Sequence, residues 1–190
     1  MNLIGEHLSK SYDQDLQNLV NLFLKMGGMA EANLTKAIES LVKSDVALAE
    51  DVIDGDKEIN FTEQQLDDLV VKVLARRQPA ATDLRLIMAV SKCGADIERI
   101  GDEAAKIARM AKLIYATDRM HIPRFIEIKH VASIAMDMLH KALDSFARLD
   151  LNAAAQIVRQ DEFVDEEFRS ILRQLITFMM EDPRKISTCL

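Results

Sequence analysis

Asp45-Val46-Ala47-Leu48-Ala49 returns 105 residues later as Asp150-Leu151-Asn152-Ala153-Ala154, and this pair of stretches decides the fold. The same shift lays Asp56 over Asp161 and Asn60 over Asp165, and it brings the break before Pro79 close to the one at Asp182-Pro183. Recurrence at a fixed offset marks a duplicated structural unit. Upstream of the first copy, Leu16, Leu19, Val20, Phe23, Met26, Ala30, Leu34, Ala37, Ile38 and Leu41 follow the i, i+3, i+4, i+7 spacing of a helix with one buried stripe, which predicts a helix from about Ser11 to Ser44. Downstream, Leu48, Val52, Ile59, Leu66, Val70, Val73 and Leu74 carry a second helix. It ends at Pro79, which lacks an N–H and restricts Gln78. Leu84, Ile87, Val90, Ile97, Ile100, Ala104, Ile107 and Ala108 make a third, which fades near Tyr115.

The mixed stretch Thr117–Pro123 reads as a linker, and the cycle then restarts with Phe125, Ile128, Val131, Ile134, Ala135, Met138, Leu139, Ala142, Leu143 and Phe146. A fifth helix follows, and the offset places a sixth from about residue 184 to 220, past Leu190. The expected fold is therefore all-α, a tandem repeat of three-helix bundles divided into 1–116 and 117–190, the second lacking its last helix in this chain. Without that third wall, Phe146, Phe163, Phe168, Phe178, Met179 and Met180 form an apolar groove that another copy would cover, so a homodimer is expected.

Composition agrees with helices. Six Gly and three Pro fall well below the roughly 12% typical of globular chains, and 49% hydrophobic residues argue against disorder. A net charge of −7 speaks against a general grip on nucleic acid or an anionic membrane. No run reaches the roughly 18 apolar residues of a membrane span. Two distant cysteines, Cys93 and Cys189, and no basic-then-apolar leader point to a reducing, cytoplasmic setting.

Acids spaced i, i+4 share a helix face and can offer hard oxygen ligands to a cation. Glu50/Asp54, Asp54/Glu58, Glu63/Asp67, Glu98/Asp102, Asp161/Asp165 and Glu162/Glu166 have that spacing, but chance placement of so many acids gives about five such pairs. Context singles out Glu98 and Asp102, which flank Gly101, a residue that costs a helix interior about 1 kcal/mol relative to Ala and so suggests a close approach; the pair reads either as a solvated charged face or as a metal or partner site. Glu127-Ile128-Lys129-His130 and Asp137-Met138-Leu139-His140 approximate the Glu-x-x-His element of carboxylate-bridged metalloenzymes. Both lie on one helix and on different faces, whereas that chemistry draws its ligands from different helices. A metal-binding bundle enzyme is therefore the alternative reading. Cys93 and the methionines Met26, Met29, Met88, Met136 and Met138 read as core fillers. Arg76, Arg77 and Arg85 around Gln78-Pro79 read either as helix-terminal charge or as a fork for phosphate or an acidic partner.

Met26-Gly27-Gly28-Met29, Arg76-Arg77-Gln78-Pro79-Ala80-Ala81-Thr82-Asp83-Leu84-Arg85, Glu98-Arg99-Ile100-Gly101-Asp102, Arg173-Gln174-Leu175 and Met179-Met180-Glu181-Asp182 together resemble the PhoU family of phosphate-uptake regulators. The resemblance implies a non-enzymatic adaptor. In plentiful phosphate, such a protein restrains the phosphate ABC transporter through its ATPase subunit and holds the phosphate-sensing histidine kinase inhibitory. It would be cytoplasmic and reach the inner membrane only through those partners. The resemblance also implies iron or zinc at acid-x-x-x-acid motifs, which map to Asp56/Asn60 and Glu98/Asp102 in the first repeat and to Asp161/Asp165 in the second. Asn60 departs from the acidic pattern, and the second Glu-Arg-Ile-Gly-Asp copy of the family falls past Leu190.

Overall fold

A computed structural model describes residues 9–116 and 126–181. It contains five helices: α1 (Lys10–Lys43), α2 (Val46–Arg77), α3 (Ala81–Ala116), α4 (Ile126–Arg148) and α5 (Leu151–Glu181). The expected linker and the segment from Asp182 onward lie outside the described residues. The all-α reading holds, with every described helix within a few residues of its predicted span.

The duplication extends to individual atoms at the corners. At the end of α1, the N–H of Asp45 donates to the Ser40 carbonyl at 3.0 Å, while Ser40 Oγ donates to the Ala37 carbonyl at 2.8 Å. At the end of α4, the N–H of Asp150 donates to the Ser145 carbonyl at 2.9 Å and Ser145 Oγ to the Ala142 carbonyl at 3.0 Å. Asp45 then caps α2 by accepting from the Leu48 N–H, and Asp150 caps α5 by accepting from the Ala153 N–H, both at 3.0 Å. A short oxygen-bearing side chain before the first helical turn satisfies N–H groups that the helix cannot pair itself. The residues between each helix pair, Ser44 and Leu149, both adopt left-handed backbone, with φ of 59° and 54°.

Helices α1, α2 and α3 pack on one another around Leu16, Leu19, Phe23, Met26, Ile59, Leu66, Ile87 and Val90, all buried. A smaller apolar cluster of Ala37, Ala49, Val52, Ala104 and Ala108 closes the far end, where small side chains let the three helices converge. Helix α4 pairs with α5 and also lies against α1. Gly27 makes that second contact possible, because a Cβ there would collide with the Leu143 side chain.

This contact corrects one expectation. Phe146 does not face an open groove. Its ring meets Phe23 of α1 edge-on, centroids 4.8 Å apart, and it packs against the α1–α3 core. The side chain of Phe178 is outside the described residues. Phe163, Phe168 and Met180 are exposed, as are Leu172 and Ile176. Met88 is a second correction: it is 41% exposed rather than a core filler, because it lies on the flank of α3 that looks out between α2 and α3. No described helix is long and apolar enough to cross a membrane.

Candidate functional site

Helices α2 and α3 run antiparallel, and their outward groove collects the polar groups of the first bundle. Along α2 the residues facing it are Asp56, Asn60, Glu63, Asp67 and Val71, at steps of three and four. Along α3 they are Leu84, Met88, Ser91, Glu98 and Asp102. Ser91 Oγ lies 3.5 Å from Asp67 Oδ1, which fixes the two stripes opposite each other.

At one end of the groove the helices come very close. Gly101 of α3 is buried, and a Cβ there would stand 3.0 Å from Ile59 Cδ1 and 3.3 Å from Asp56 Oδ1. Gly101 thus supplies the close approach that its place between two acids suggested. The approach has a polar consequence: Asp56 Oδ1 and Asn60 Oδ1 are buried with no hydrogen-bond donor. A buried acceptor with no partner costs about 1–3 kcal/mol, so two on successive turns of one helix are conspicuous.

The charges around them compound that cost. Burial pushes the Asp56 carboxyl above its usual range, the negative charge of Asp102 pushes it further, and Arg109 partly offsets this. Glu98 is raised by burial, then by Asp102, Glu63 and Asp56. Glu63 is raised by burial and by Asp67. The groove therefore holds a group of carboxyls that disfavour one another's ionisation, the condition that a cation relieves. The resemblance assigned Asp56, Asn60, Glu98 and Asp102 to metal motifs, while Glu63 was noted only for its spacing from Asp67 and not joined to them. The signal for Glu63 was its position, seven residues after Asp56 and so on the same face.

The oxygen donors present are of the kind a hard cation takes, and Asp56 Oδ1 and Asn60 Oδ1 have no other partner. Among the described residues, however, no three His, Cys, Asp or Glu groups converge as a ready cage. Asp161 and Asp165 stand on the exposed side of α5, with Arg169 3.4 Å from Asp165. The structure does not bring them together with the α2–α3 groove. Of the histidines weighed for the enzyme alternative, His130 is exposed, and His140 faces Glu31 of α1 at 3.0 Å rather than a second ligand helix.

Fold and site together define a class: a duplicated helical bundle with an oxygen-lined groove between two helices of its first repeat. The PhoU domain model matches residues 23–111 and 128–190. The phosphate-specific transport system accessory protein PhoU homolog of Pseudomonas aeruginosa is 43% identical over 188 residues, 98% of this chain and 77% of that protein. The phosphate-specific transport system accessory protein PhoU of Escherichia coli is 41% identical over 187 residues, again 98% and 77%. The crystal structure of PhoU from Pseudomonas aeruginosa superposes with a TM-score of 0.90 at 42% identity, covering 94% of this chain and 85% of that one. The chain belongs to the PhoU family.

Proposed function

We propose that this protein is a non-enzymatic negative regulator of phosphate uptake and phosphate-starvation signalling. It acts as an adaptor between the ATPase subunit of a phosphate ABC transporter and a phosphate-sensing histidine kinase. The observation that carries this reading is identity above 40% along nearly the whole chain to proteins named as accessory to phosphate-specific transport. It works in the cytoplasm and reaches the membrane through those partners. Its two units are residues 1–116 and 117–190. Deletion of the gene derepresses a phosphate-starvation reporter in phosphate-rich medium, and complementation restores repression. A reporter that stays silent with normal phosphate uptake refutes the regulator.

Iron or zinc in the first repeat is supported by the orphaned oxygens of Asp56 and Asn60 facing the Glu98/Asp102 pair. The cation would neutralise those carboxyls and tie α2 to α3. Asp161 and Asp165 are the corresponding positions of the second repeat. Elemental analysis of protein loaded anaerobically tests this: Glu98→Ala with Asp102→Ala lowers bound metal, whereas full retention makes the pair a solvated charge cluster. Homodimerisation is supported by the exposed apolar face of α5, including Phe168 at 60% and Leu172 at 47% exposure. Light scattering shows a dimer that Phe168→Asp dissociates. A monomer at high concentration that binds no hydrophobic dye refutes it.

A further inference from the structure

The groove between α2 and α3 has a second end. Its antiparallel register is set by Glu50 opposite Lys112 at 2.7 Å, by Ile59 opposite Gly101, by Leu66 opposite Gly94 and by Asp67 opposite Ser91. Continued toward the α2–α3 turn, that register places Val71 and Lys72 level with Met88, and Arg76 level with Leu84 and Arg85. Val71, Leu84 and Met88 are 65%, 39% and 41% exposed, three apolar side chains at one mouth of a groove on a chain of net charge −7. Lys72, Arg76, Arg85 and Lys92 around them are all exposed, and none makes an ion pair or hydrogen bond among the described residues.

The contrast with neighbouring cations is informative. Arg77 is consumed by the fold: its Nε and Nη2 donate to Asp15 Oδ2 at 2.8 and 2.7 Å, and Nη2 also donates to Ser11 Oγ at 2.6 Å. Further along, Arg99 sits 3.9 Å from Asp96, Lys106 is 2.7 Å from Glu103, and Lys57 is 2.8 Å from Asp54. Apart from Arg109, which donates to the Ala105 carbonyl, the cations elsewhere on these two helices thus make ion pairs within 4 Å, whereas the four at the mouth make none among the described residues, even though Asp68 and Asp96 lie one turn from Lys72 and Lys92. Arg77 and the Tyr12–Asp83 hydrogen bond of 3.1 Å brace the turn against α1, so the mouth is presented on a firm support.

We propose that this mouth docks an acidic amphipathic helix of a partner protein. Its apolar stripe would lie on Val71, Leu84 and Met88, and its flanking carboxylates would meet Lys72 and Arg76 of α2 on one side and Arg85 and Lys92 of α3 on the other. Charge complementarity selects this occupant: a basic helix meets four cations that make no ion pair, and an uncharged one leaves them unused. Arginine suits the contact because its guanidinium engages a carboxylate at two points. With three apolar anchors the footprint is small, which matches a reversible contact rather than a permanent one. The proposal rests on the adaptor reading for the partner's identity and assigns that adaptor a surface.

Two fluorescent helical peptides of about twenty residues test it with the full chain. One carries Leu at i, i+3 and i+4 flanked by Glu, and the other has Lys in place of every Glu. The Glu peptide binds at least tenfold tighter than the Lys peptide and weakens with added salt. Arg76→Glu with Arg85→Glu lowers its affinity at least tenfold, and Leu84→Ser with Met88→Ser does the same, both with unchanged helical circular dichroism. Lys57→Glu on the outer face of α2 leaves it unchanged. Equal binding of the two peptides, or full binding by the Arg76→Glu, Arg85→Glu variant, overturns the proposal. The same variant is then measured against the purified ATPase subunit and the cytoplasmic part of the kinase. If wild type binds either and the variant binds it equally, the mouth is not the docking surface while the adaptor reading stands. If wild type binds neither while the peptide results hold, the adaptor reading fails and the mouth keeps its ligand class. A change in sedimenting mass of the variant assigns the mouth to a second copy and overturns the acidic partner.

Discussion

Two glycines in long helices offer a direct test of how tightly α2 and α3 cross. Gly28 in α1 is exposed, and a Cβ there would meet nothing within 4 Å. Gly28→Ala should collect the full helix-propensity difference, about 1 kcal/mol of added stability. Gly101 has the same propensity to gain, but its Cβ would stand 3.0 Å from Ile59 Cδ1, 3.3 Å from Ile59 Cγ2 and 3.3 Å from Asp56 Oδ1. Ile59 is fully buried, so it cannot swing outward to make room. Overpacking of this kind costs about 1–3 kcal/mol. Set against the propensity gain, Gly101→Ala should fall between about neutral and 2 kcal/mol destabilising, and the two variants should differ by about 1–3 kcal/mol. For a chain of this size each kcal/mol moves the melting temperature by about 2–4 °C. Thermal unfolding by circular dichroism, on both variants freed of divalent cations, reads the difference. If Gly101→Ala stabilises as much as Gly28→Ala, the helices are not in contact there and the account of the orphaned Asp56 oxygen falls with it.

Burial and the hydrogen bond to Asp83 push the Tyr12 phenol up to about 12 from 10.0, so the folded state stays protonated while the unfolded chain ionises. Stability should therefore fall as pH rises from 10 toward 12, and Tyr12→Phe should flatten that slope in urea midpoints measured across the range. Burial and then Asp96 raise the Cys93 thiol. In a Cys189→Ser background its reaction with a disulfide reagent at pH 8 should be at least tenfold slower folded than in urea, and equal rates would place it at the surface. Leu149 holds φ of 54°, a conformation that costs a side-chain-bearing residue roughly 1 kcal/mol. Leu149→Gly should accordingly stabilise the α4–α5 corner by about 0.5–1 kcal/mol in denaturant titration, whereas a loss of more than that would mean the side chain packs there.

What could be read from residues alone was whatever local chemistry determines. Pro79 ends α2 because it has no N–H to give, and Asp45 and Asp150 start helices because a short carboxylate suits an N-cap. The stretches that follow those two aspartates, 105 residues apart, exposed the duplication, to which the structure adds the matching contacts of Ser40 and Ser145. What could not be read was which helix each apolar face would meet. Phe146 carries the same periodic signal whether α1 or a later helix covers it, and only the packing of Leu143 over Gly27 decides for α1. Leu84 and Met88 match the stripe of α3 equally well, yet they lie on its flank because apolar spacing of three and four covers more of a helix than its partners bury.

The candidate site shows the same division. Glu98 and Asp102 stood out because Gly101 between them is a poor helix former that close packing could justify, and the structure supplies that packing. Nothing in the spacing of Asp56 and Asn60 announced that their oxygens would be buried without donors. That follows from the crossing, which excludes water from α2 at the point where Gly101 lets α3 in. The groove then becomes one continuous device with two ends. Where the helices are closest, burial and neighbouring acids raise the carboxyls of Asp56, Glu98 and Glu63, so that end would take positive charge. Toward Pro79, four cations without ion pairs surround exposed Val71, Leu84 and Met88, so that end would take negative charge on an apolar support. Both ends lie on the same pair of helices, so a cation bound at Asp56 would act on the helices that also carry Val71 and Met88. If both proposals hold, stripping the cation should weaken the peptide's affinity without touching a residue it contacts, and an affinity unchanged by chelation would show that the two ends act independently.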